Sequence, residues 1–296
     1  MTATQLRGCG TALATPFNRT GEVDEPALRA LVDWQIAEGI HYLVPCGSTG
    51  EAATMSAAEH RRVVEIVVEQ TAGRVPVVAG AGSNDTRKAI ATSQEMAADG
   101  ATHLLHVSPM YNKPPQRGIV EHFKAIAGAT SLPIVVYNVP GRTGSNIEAA
   151  TTLELAGIPN VAAVKEASGN LAQITDVLAA RPRDFAVLSG DDELTLAVMA
   201  LGGDGVVSVV SNVTPKLMAQ LCEAAARGDL AAARDRHYQL LPWMRAAFVE
   251  SNPVPVKAAL AAMGKMENVL RLPLVQLSDK YRAKVEEALR GVGALA

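Results

Sequence analysis

The chain has 296 residues, 48% of them hydrophobic, which is enough for a large buried core and allows either two ordinary domains or one α/β barrel with an extension. Its 27 basic and 30 acidic residues give a net charge of −3, and only 4% of residues are aromatic. This balance argues against nucleic acid or an anionic membrane as a partner.

Cysteine content and hydropathy indicate the compartment. Cys9, Cys46 and Cys222 are few, odd in number and widely spaced, so we expect reduced thiols and no disulfide framework. No apolar run approaches about 18 residues and no charged-then-apolar leader opens the sequence. The sequence therefore predicts a soluble cytoplasmic protein with no membrane partner.

Short segments rich in Val, Ile and Leu are predicted as strands. Stretches such as "VPVVAG" and "PIVVYN" are almost continuously apolar, which is typical of parallel strands buried on both faces. The predicted strands lie at 9–15, 41–46, 75–80, 102–108, 133–138, 161–165, 185–189 and 205–210.

Helical patterns lie between these segments. Residues 24–38 carry an apolar stripe that ends before Gly39. Ser56 and Glu59 have the spacing of a capping box, in which side chain and backbone cap each other at a helix start.

Two further helix starts are predicted later in the chain. Ser145 and Glu148 repeat the capping-box spacing. Thr214 followed by Pro215 predicts an N-cap residue and a first helical residue.

The alternation of strand and helix predicts an α/β fold, a (β/α)8 TIM barrel. A doubly wound sheet is the alternative, but such sheets usually carry a G-x-G-x-x-G turn after the first strand, and here that strand is followed by "ATPFNRTGE". Three more helices are expected near 228–249, 254–263 and 279–291. We therefore predict a catalytic barrel over residues 1–225 and a C-terminal helical domain over residues 226–296.

In this fold the active site lies at the carboxyl ends of the strands. Lys165 is the lysine that falls inside an apolar strand, "NVAAVKEAS"; the other eight are expected to be solvated. Burial lowers the pKa of an amine, and a neutral amine can form a Schiff base with a carbonyl. The alternative is a buried ion pair with Glu166 or Asp191.

Tyr137 ends the fifth predicted strand, next to the strand of Lys165. Its phenol could move protons at a reacting carbonyl, or it could be an ordinary aromatic at the barrel rim. Arg142 follows in a loop rich in Pro and Gly. It could bind a carboxylate with two hydrogen bonds, or be an exposed loop arginine.

The stretch "CGSTGE" follows the second predicted strand. Gly47 and Gly50 would let the backbone approach a ligand. Successive N–H groups there could bind a small carboxylate, and Ser48 and Thr49 could add their hydroxyls. The stretch lacks the G-K-[ST] ending of a nucleotide-binding loop. The alternative is an ordinary turn between strand and helix.

Metal chemistry is not expected. His103 and His106 are three residues apart on a predicted strand, so their side chains face opposite sides. There is no H-E-x-x-H motif and no Cys/His cluster. Asp191 and Asp192 are interpreted as acidic residues that open a helix.

Seven stretches together resemble the pyruvate-dependent class I aldolase superfamily, which contains dihydrodipicolinate synthase and N-acetylneuraminate lyase. The resemblance covers essentially the whole chain, and "YNVPGRTG" makes it most similar to the dihydrodipicolinate synthase branch. The stretches are "GSTGE" (47–51), "SPMYN" (108–112), "YNVPGRTG" (137–144), "VKEASGN" (164–170), "LSGDD" (188–192), "GVVSVVSN" (205–212) and "NPVPVK" (252–257).

The resemblance implies a role for each matching residue. Lys165 would form the Schiff base with pyruvate, with no metal, flavin or nucleotide cofactor. The N–H groups of Ser48 and Thr49 would hold the pyruvate carboxylate. Tyr137 would donate and accept protons. The Ser48 hydroxyl would connect it to Tyr111 of a neighbouring subunit, which implies a homotetramer built from two tight dimers.

The resemblance also implies the reaction. Arg142 would bind the carboxylate of L-aspartate 4-semialdehyde, and the carbonyls near Gly190 and Val207 would line the pyruvate pocket. The product would be 4-hydroxy-tetrahydrodipicolinate, on the route to diaminopimelate and lysine. One alternative is a related aldolase or lyase acting on a sugar acid, and another is a non-catalytic barrel.

The sequence departs from the family pattern at two sites. Ser48 stands where many members carry threonine, which retains a hydroxyl. In the allosteric lysine site His60 and Asn84 match. Three residues there depart from the pattern, and they include a lysine that would repel the ligand's ammonium group. They are Ala57, Met110 and Lys88. We therefore expect that lysine does not inhibit this protein.

Overall fold

The computed structural model describes residues 5–295. Within that range eight strands form one parallel sheet in the order β2-β1-β8-β7-β6-β5-β4-β3. The strands are β1 Gly8–Ala12, β2 Tyr42–Val44, β3 Val78–Gly80, β4 His103–Val107, β5 Ile134–Asn138, β6 Val161–Glu166, β7 Ala186–Ser189 and β8 Gly205–Ser208.

The two ends of this sheet meet, so the sheet closes on itself. Leu43 of β2 forms a parallel bridge with Val77, just before β3. The Leu43 N–H donates to the Pro76 carbonyl at 3.0 Å, and the Gly80 N–H donates to the Pro45 carbonyl at 3.0 Å. The (β/α)8 barrel predicted from the sequence is confirmed.

Helices follow the strands and cover the outside of the barrel, and three more helices follow the last barrel helix, α9. Those three confirm the helices predicted near 228–249, 254–263 and 279–291. Within residues 5–295 the helices are α1 Glu25–Ala37, α2 Ala57–Thr71, α3 Thr86–Ala98, α4 Gln116–Ala127, α5 Pro140–Thr143, α6 Ala149–Ala156, α7 Leu171–Ala180, α8 Thr195–Ala200, α9 Pro215–Ala226, α10 Leu230–Ala246, α11 Val254–Ala262 and α12 Asp279–Gly291.

One of the two predicted capping boxes forms. At the start of α2 the Ser56 hydroxyl accepts from the Glu59 N–H at 3.2 Å, and the Glu59 carboxylate accepts from the Ser56 N–H at 2.9 Å. The second prediction is wrong, because Glu148 is itself the N-cap residue of α6. Ser145 lies in a turn, where the Thr143 hydroxyl accepts its N–H and donates to its carbonyl at 2.8 Å.

The floor of the barrel depends on a glycine. A Cβ at Gly10 would fall 1.9 Å from a ring carbon of Tyr42, so only glycine on β1 admits this ring. The Tyr42 hydroxyl then donates to the Val206 carbonyl at 2.8 Å across the floor.

The C-terminal helices share the hydrophobic core of the barrel. Trp243 of α10 is completely buried in the same cluster as the strand residues, and its indole N–H donates to the Val210 carbonyl at 3.2 Å. The division into domains at residue 225 stays a prediction. All three cysteines are buried free thiols. Across residues 5–295 no helix combines the length and apolar character needed to cross a bilayer.

Candidate active site

A cavity of about 390 Å³ opens at the carboxyl ends of the strands, where the fold predicts an active site. Six of the eight candidate site residues line it, so residues distant in sequence meet at one place. They are Ser48, Thr49, Tyr137, Arg142, Lys165 and Gly190.

Lys165 and Tyr137 are direct neighbours on paired strands of the barrel. The Lys165 ammonium nitrogen lies 4.1 Å from the centre of the Tyr137 ring. Lys165 is only 5% exposed, and among residues 5–295 no carboxylate pairs with it. Burial lowers the pKa of Lys165 to about 7, opposed by the charge of Asp192. A large share of this amine is therefore neutral at neutral pH.

The ion pair considered as an alternative for Lys165 does not form. Glu166 points to the opposite side of β6, as alternation along a strand requires. Its carboxylate accepts from the side chain of Asn138 at 3.0 Å and from the Ser168 N–H at 2.7 Å. Asp191 accepts from the Glu193 N–H at 3.0 Å.

Gly190 provides the space that Lys165 occupies. A Cβ at this position would lie 2.6 Å from the Ala167 Cβ and 3.1 Å from the Cε of Lys165. Any larger residue would press against the lysine side chain, so glycine here keeps the amine in the cavity.

Asp191 and Asp192 open a short 3-10 helix over Asp192–Leu194, as interpreted from the sequence, but the Asp192 side chain is buried. It is 2% exposed, and its Oδ2 accepts from the N–H groups of Val209 at 2.9 Å and Val210 at 3.2 Å. Burial raises the pKa of Asp192 to about 6. A helix-opening aspartate is normally solvated, whereas this one lies beneath the site and adds negative charge near Lys165.

Residues 47–51, here called loop 47–51, turn back sharply after β2. Cys46 and Glu51 on either side of its glycines have left-handed φ angles of 57° and 55°, which few non-glycine residues adopt. Gly47 lines the cavity with open space beside it, as expected. Gly50 does not face a ligand, because a Cβ there would lie 3.1 Å from the Leu13 carbonyl oxygen.

Lys257 contradicts the expectation that every lysine except Lys165 is solvated. Its side chain is completely buried, and its Nζ lies 2.6 Å from the Oε1 of Glu51, whose side chain is also fully buried. The other carboxylate oxygen of Glu51 accepts from the Arg271 N–H at 3.0 Å. Helix α11 therefore binds loop 47–51 through charge, and the segment after α11 binds it through a backbone hydrogen bond.

Asn252 is a cavity residue that the sequence analysis missed. Its side-chain amide donates to the Thr49 hydroxyl at 2.9 Å, and its backbone carbonyl accepts from Arg142 at 3.3 Å. Asn252 is the first residue of the stretch "NPVPVK". Nothing in the pattern of that stretch indicates that this asparagine lies between two candidate ligand-binding side chains.

Two candidate residues do not line the cavity. The Tyr111 side chain is 89% exposed, its φ angle is 73°, and its N–H donates to the Thr143 carbonyl at 3.2 Å. Val207 is buried in β8 opposite Gly10, and Val209, two residues later, lines the cavity.

His103 and His106 do not line this cavity, whereas His60 does. Burial lowers the pKa of His106 to about 3, and its ring shares a hydrogen bond with Ser93 at 3.2 Å. In the part of the chain that the structure describes, no group of three His, Cys, Asp or Glu residues is arranged to hold a metal ion.

Comparison with known proteins adds an independent finding. The 4-hydroxy-tetrahydrodipicolinate synthase of Koribacter versatilis is 55% identical over 292 residues, covering 98% of this chain and 97% of its own. That of Nitratidesulfovibrio vulgaris is 50% identical over 290 residues, covering 98% and 99%. The pyruvate-complexed dihydrodipicolinate synthase structure from Acinetobacter baumannii has a TM-score of 0.97 at 40% identity, covering 98% and 100%.

The family comparison agrees with these full-length matches and with the geometry of the cavity. The model of the Dihydrodipicolinate synthetase family matches residues 5–292, and the chain belongs to that family.

Proposed function

We propose that this protein catalyses the Schiff-base aldol condensation of pyruvate with L-aspartate 4-semialdehyde, which gives 4-hydroxy-tetrahydrodipicolinate. The observation that carries the proposal is the buried amine of Lys165, which has no paired carboxylate among the described residues and lies against Tyr137 in the main cavity. Full-length relatives that carry this activity in their names support the choice of substrates.

The first step is attack of the neutral Lys165 Nζ on the ketone carbon of pyruvate. The resulting carbinolamine must lose water, so its hydroxyl needs a proton. Burial raises the pKa of Tyr137 to about 12, so its phenol stays protonated near neutral pH and can donate that proton. The leaving water carries the oxygen away, and the lysine remains as an iminium.

The pyruvate carboxylate is assigned to loop 47–51. The N–H groups of Ser48 and Thr49 would donate to it, and both residues line the cavity beside Lys165. Gly190, which lines the cavity, and the carbonyls near it would border the methyl and keto groups, whereas Val207 is not among the lining residues.

Tyr111 is proposed to act on a neighbouring subunit. Its exposure and left-handed backbone indicate a side chain held away from its own chain, and such strain is commonly found at functional positions. Through the Ser48 hydroxyl it would complete a proton relay to Tyr137. This arrangement requires an oligomer, and we propose a homotetramer of two tight dimers in the cytoplasm.

Carbon–carbon bond formation follows from loss of a methyl proton. The Tyr137 phenolate left by the dehydration accepts this proton, and the iminium takes up the electron pair of the C–H bond and becomes an enamine, so no separate cofactor enters the step. The enamine carbon attacks the aldehyde carbon, the re-formed Tyr137 phenol gives its proton to the aldehyde oxygen, and the enamine becomes an iminium again. The amino group of the new chain then attacks the iminium carbon, closes the ring and releases Lys165 as a neutral amine.

Arg142 distinguishes this reaction from cleavage of a sugar acid. It lines the cavity and can bind a carboxylate through two parallel hydrogen bonds, which suits a short aldehyde that ends in a carboxylate. A non-catalytic barrel would have no need to keep Lys165 unpaired beside Tyr137.

The test is reductive trapping with pyruvate and borohydride. We expect a mass gain on Lys165, with a trapping rate that falls as the pH drops below about 7, because protonation removes the nucleophile. Condensation should then proceed with L-aspartate 4-semialdehyde, and the protein should not cleave N-acetylneuraminate. No mass gain, or a label on another residue, would refute the assignment.

Substitution of Arg142 by Ala should mainly impair use of the second substrate, the aldehyde. The expected result is a rise of about 100-fold in KM for the aldehyde, since a charged hydrogen-bonded contact is worth about 2–3 kcal/mol. The pyruvate adduct should still form, with a smaller loss in rate, because removal of the Arg142 charge lets the pKa of Lys165 rise. Equal losses in both half-reactions would contradict this role.

Lysine is expected not to inhibit the condensation. Lys88 is exposed on α3, near the Asn84–Met110 hydrogen bond of 3.2 Å, and adds positive charge where an inhibitory amino acid would place its ammonium group. Titration of lysine to millimolar levels should leave the initial rate unchanged. Clear inhibition at these concentrations would refute the expectation.

A further inference from the structure

The C-terminal segment that begins at Asn252 holds loop 47–51 at two points. Asn252 donates its side-chain amide to the Thr49 hydroxyl at 2.9 Å. Five residues further on, Lys257 pairs with Glu51 at 2.6 Å. Asn252 and Thr49 are 5% and 3% exposed, so water competes little for their hydrogen bond. Both residues also line the cavity.

The direction of the Asn252 hydrogen bond determines what Thr49 can offer a substrate. A threonine hydroxyl has one proton to donate and lone pairs to accept. Because Asn252 donates to it, the hydroxyl uses a lone pair in that contact and keeps its own proton for another acceptor. A carboxylate oxygen in the cavity would be such an acceptor.

We propose that Asn252 is a positioning residue that orients the Thr49 hydroxyl to donate to the substrate carboxylate, in addition to the N–H groups of loop 47–51. The inference rests on the proposed function, in which this loop binds pyruvate. Its new element is the supporting role of a residue in the C-terminal extension.

The geometry supplies an internal control. Arg142 contacts the backbone carbonyl of Asn252 and not its side chain. A substitution at position 252 therefore removes the amide from Thr49 and leaves the group that Arg142 contacts in place. The side chain of Asn252 should affect the pyruvate half of the reaction and spare the aldehyde half.

Asn252→Ala is expected to raise KM for pyruvate about tenfold, with KM for the aldehyde changed less than about twofold. Asn252→Asp should raise KM for pyruvate more, about 100-fold, because a carboxylate would accept the Thr49 proton and repel the substrate anion. Asn160→Ala is the matched control. Asn160 donates to two backbone carbonyls, Ala127 at 3.0 Å and Thr130 at 2.9 Å, before β6 at the opposite end of the barrel.

A double-mutant cycle tests the connection through Thr49. In the Thr49→Val background, Asn252→Ala should change KM for pyruvate less than about twofold, because the hydroxyl it orients is gone. Thr49→Ser, which keeps the hydroxyl, should restore the tenfold effect. A full effect in the Thr49→Val background, or equal rises in both KM values, would overturn the proposal.

Failure of the inference is distinguishable from failure of the proposed function. If the unsubstituted protein forms no adduct with pyruvate, the function itself is wrong. If it condenses both substrates, and Asn252→Ala retains the original KM for pyruvate while its unfolding transition matches that of Asn160→Ala, only the role of Asn252 is wrong.

Discussion

Lys165→Met should abolish pyruvate trapping and make the protein more stable. The stability gain follows from the lowered pKa of about 7, since the folded state disfavours the charged amine relative to its ordinary value of 10.5. Each pKa unit is worth about 1.4 kcal/mol, so removing the amine should add about 4 kcal/mol to the free energy of unfolding at pH 7. A buried methionine carries no such penalty.

The pH dependence has a definite sign. The unfolded chain holds the lysine proton up to about pH 10.5, whereas the folded chain releases it near pH 7. Between these values the unfolded state binds more protons, and the penalty shrinks by about 1.4 kcal/mol per pH unit as the pH rises. The advantage of Lys165→Met in urea unfolding should therefore be smaller at pH 9 than at pH 7.

Lys165→Arg keeps the positive charge at this position and removes the nucleophilic amine. A guanidinium cannot deprotonate in a protein, so this variant should form no adduct and should be less stable than the unsubstituted chain. Protein concentration must be matched in all unfolding measurements, because an oligomer's stability depends on it. If Lys165→Met and the original protein have equal free energies of unfolding at both pH values, burial of the Lys165 amine does not reduce stability and the prediction is wrong.

Lys257→Met should have the opposite effect on stability. The substitution is chemically identical, but it leaves the carboxylate of Glu51 buried without its cation. Breaking one partner of a buried ion pair typically costs about 3–5 kcal/mol. We expect a loss of that size in the free energy of unfolding, measured by urea denaturation beside Lys165→Met.

A second substitution identifies the cause of that loss. Glu51→Gln combined with Lys257→Met removes both charges, so the double variant should regain much of the stability lost by Lys257→Met alone. If Lys257→Met unfolds at the same urea concentration as the original chain, the pair contributes little and the contrast between the two buried lysines is wrong.

The barrel could be predicted because its signals are local. Near-continuous apolar runs mark the buried parallel strands, and Ser56 and Glu59 cap α2 through atoms three residues apart. The same spacing at Ser145 and Glu148 failed because the Thr143 hydroxyl holds Ser145 in a turn first. Competition between local hydrogen bonds is not visible in a spacing pattern.

The two buried lysines show where prediction of the site stops. Lys165 is conspicuous because it interrupts a strand of apolar residues. Lys257 lies in α11, where a lysine normally reaches solvent, and its partner Glu51 is 206 residues away in sequence. No local pattern connects them, nor does any connect Asn252 with Thr49, which are 203 residues apart.

The contact between Glu51 and Lys257 has a consequence for how the chain is made. A ribosome delivers loop 47–51 long before it delivers α11, so during synthesis the buried position of Glu51 lacks its cation. A product that stopped after the barrel strands would have to bury an uncompensated carboxylate or leave the loop open to water. Completion of loop 47–51 thus marks a chain that has been translated through α11.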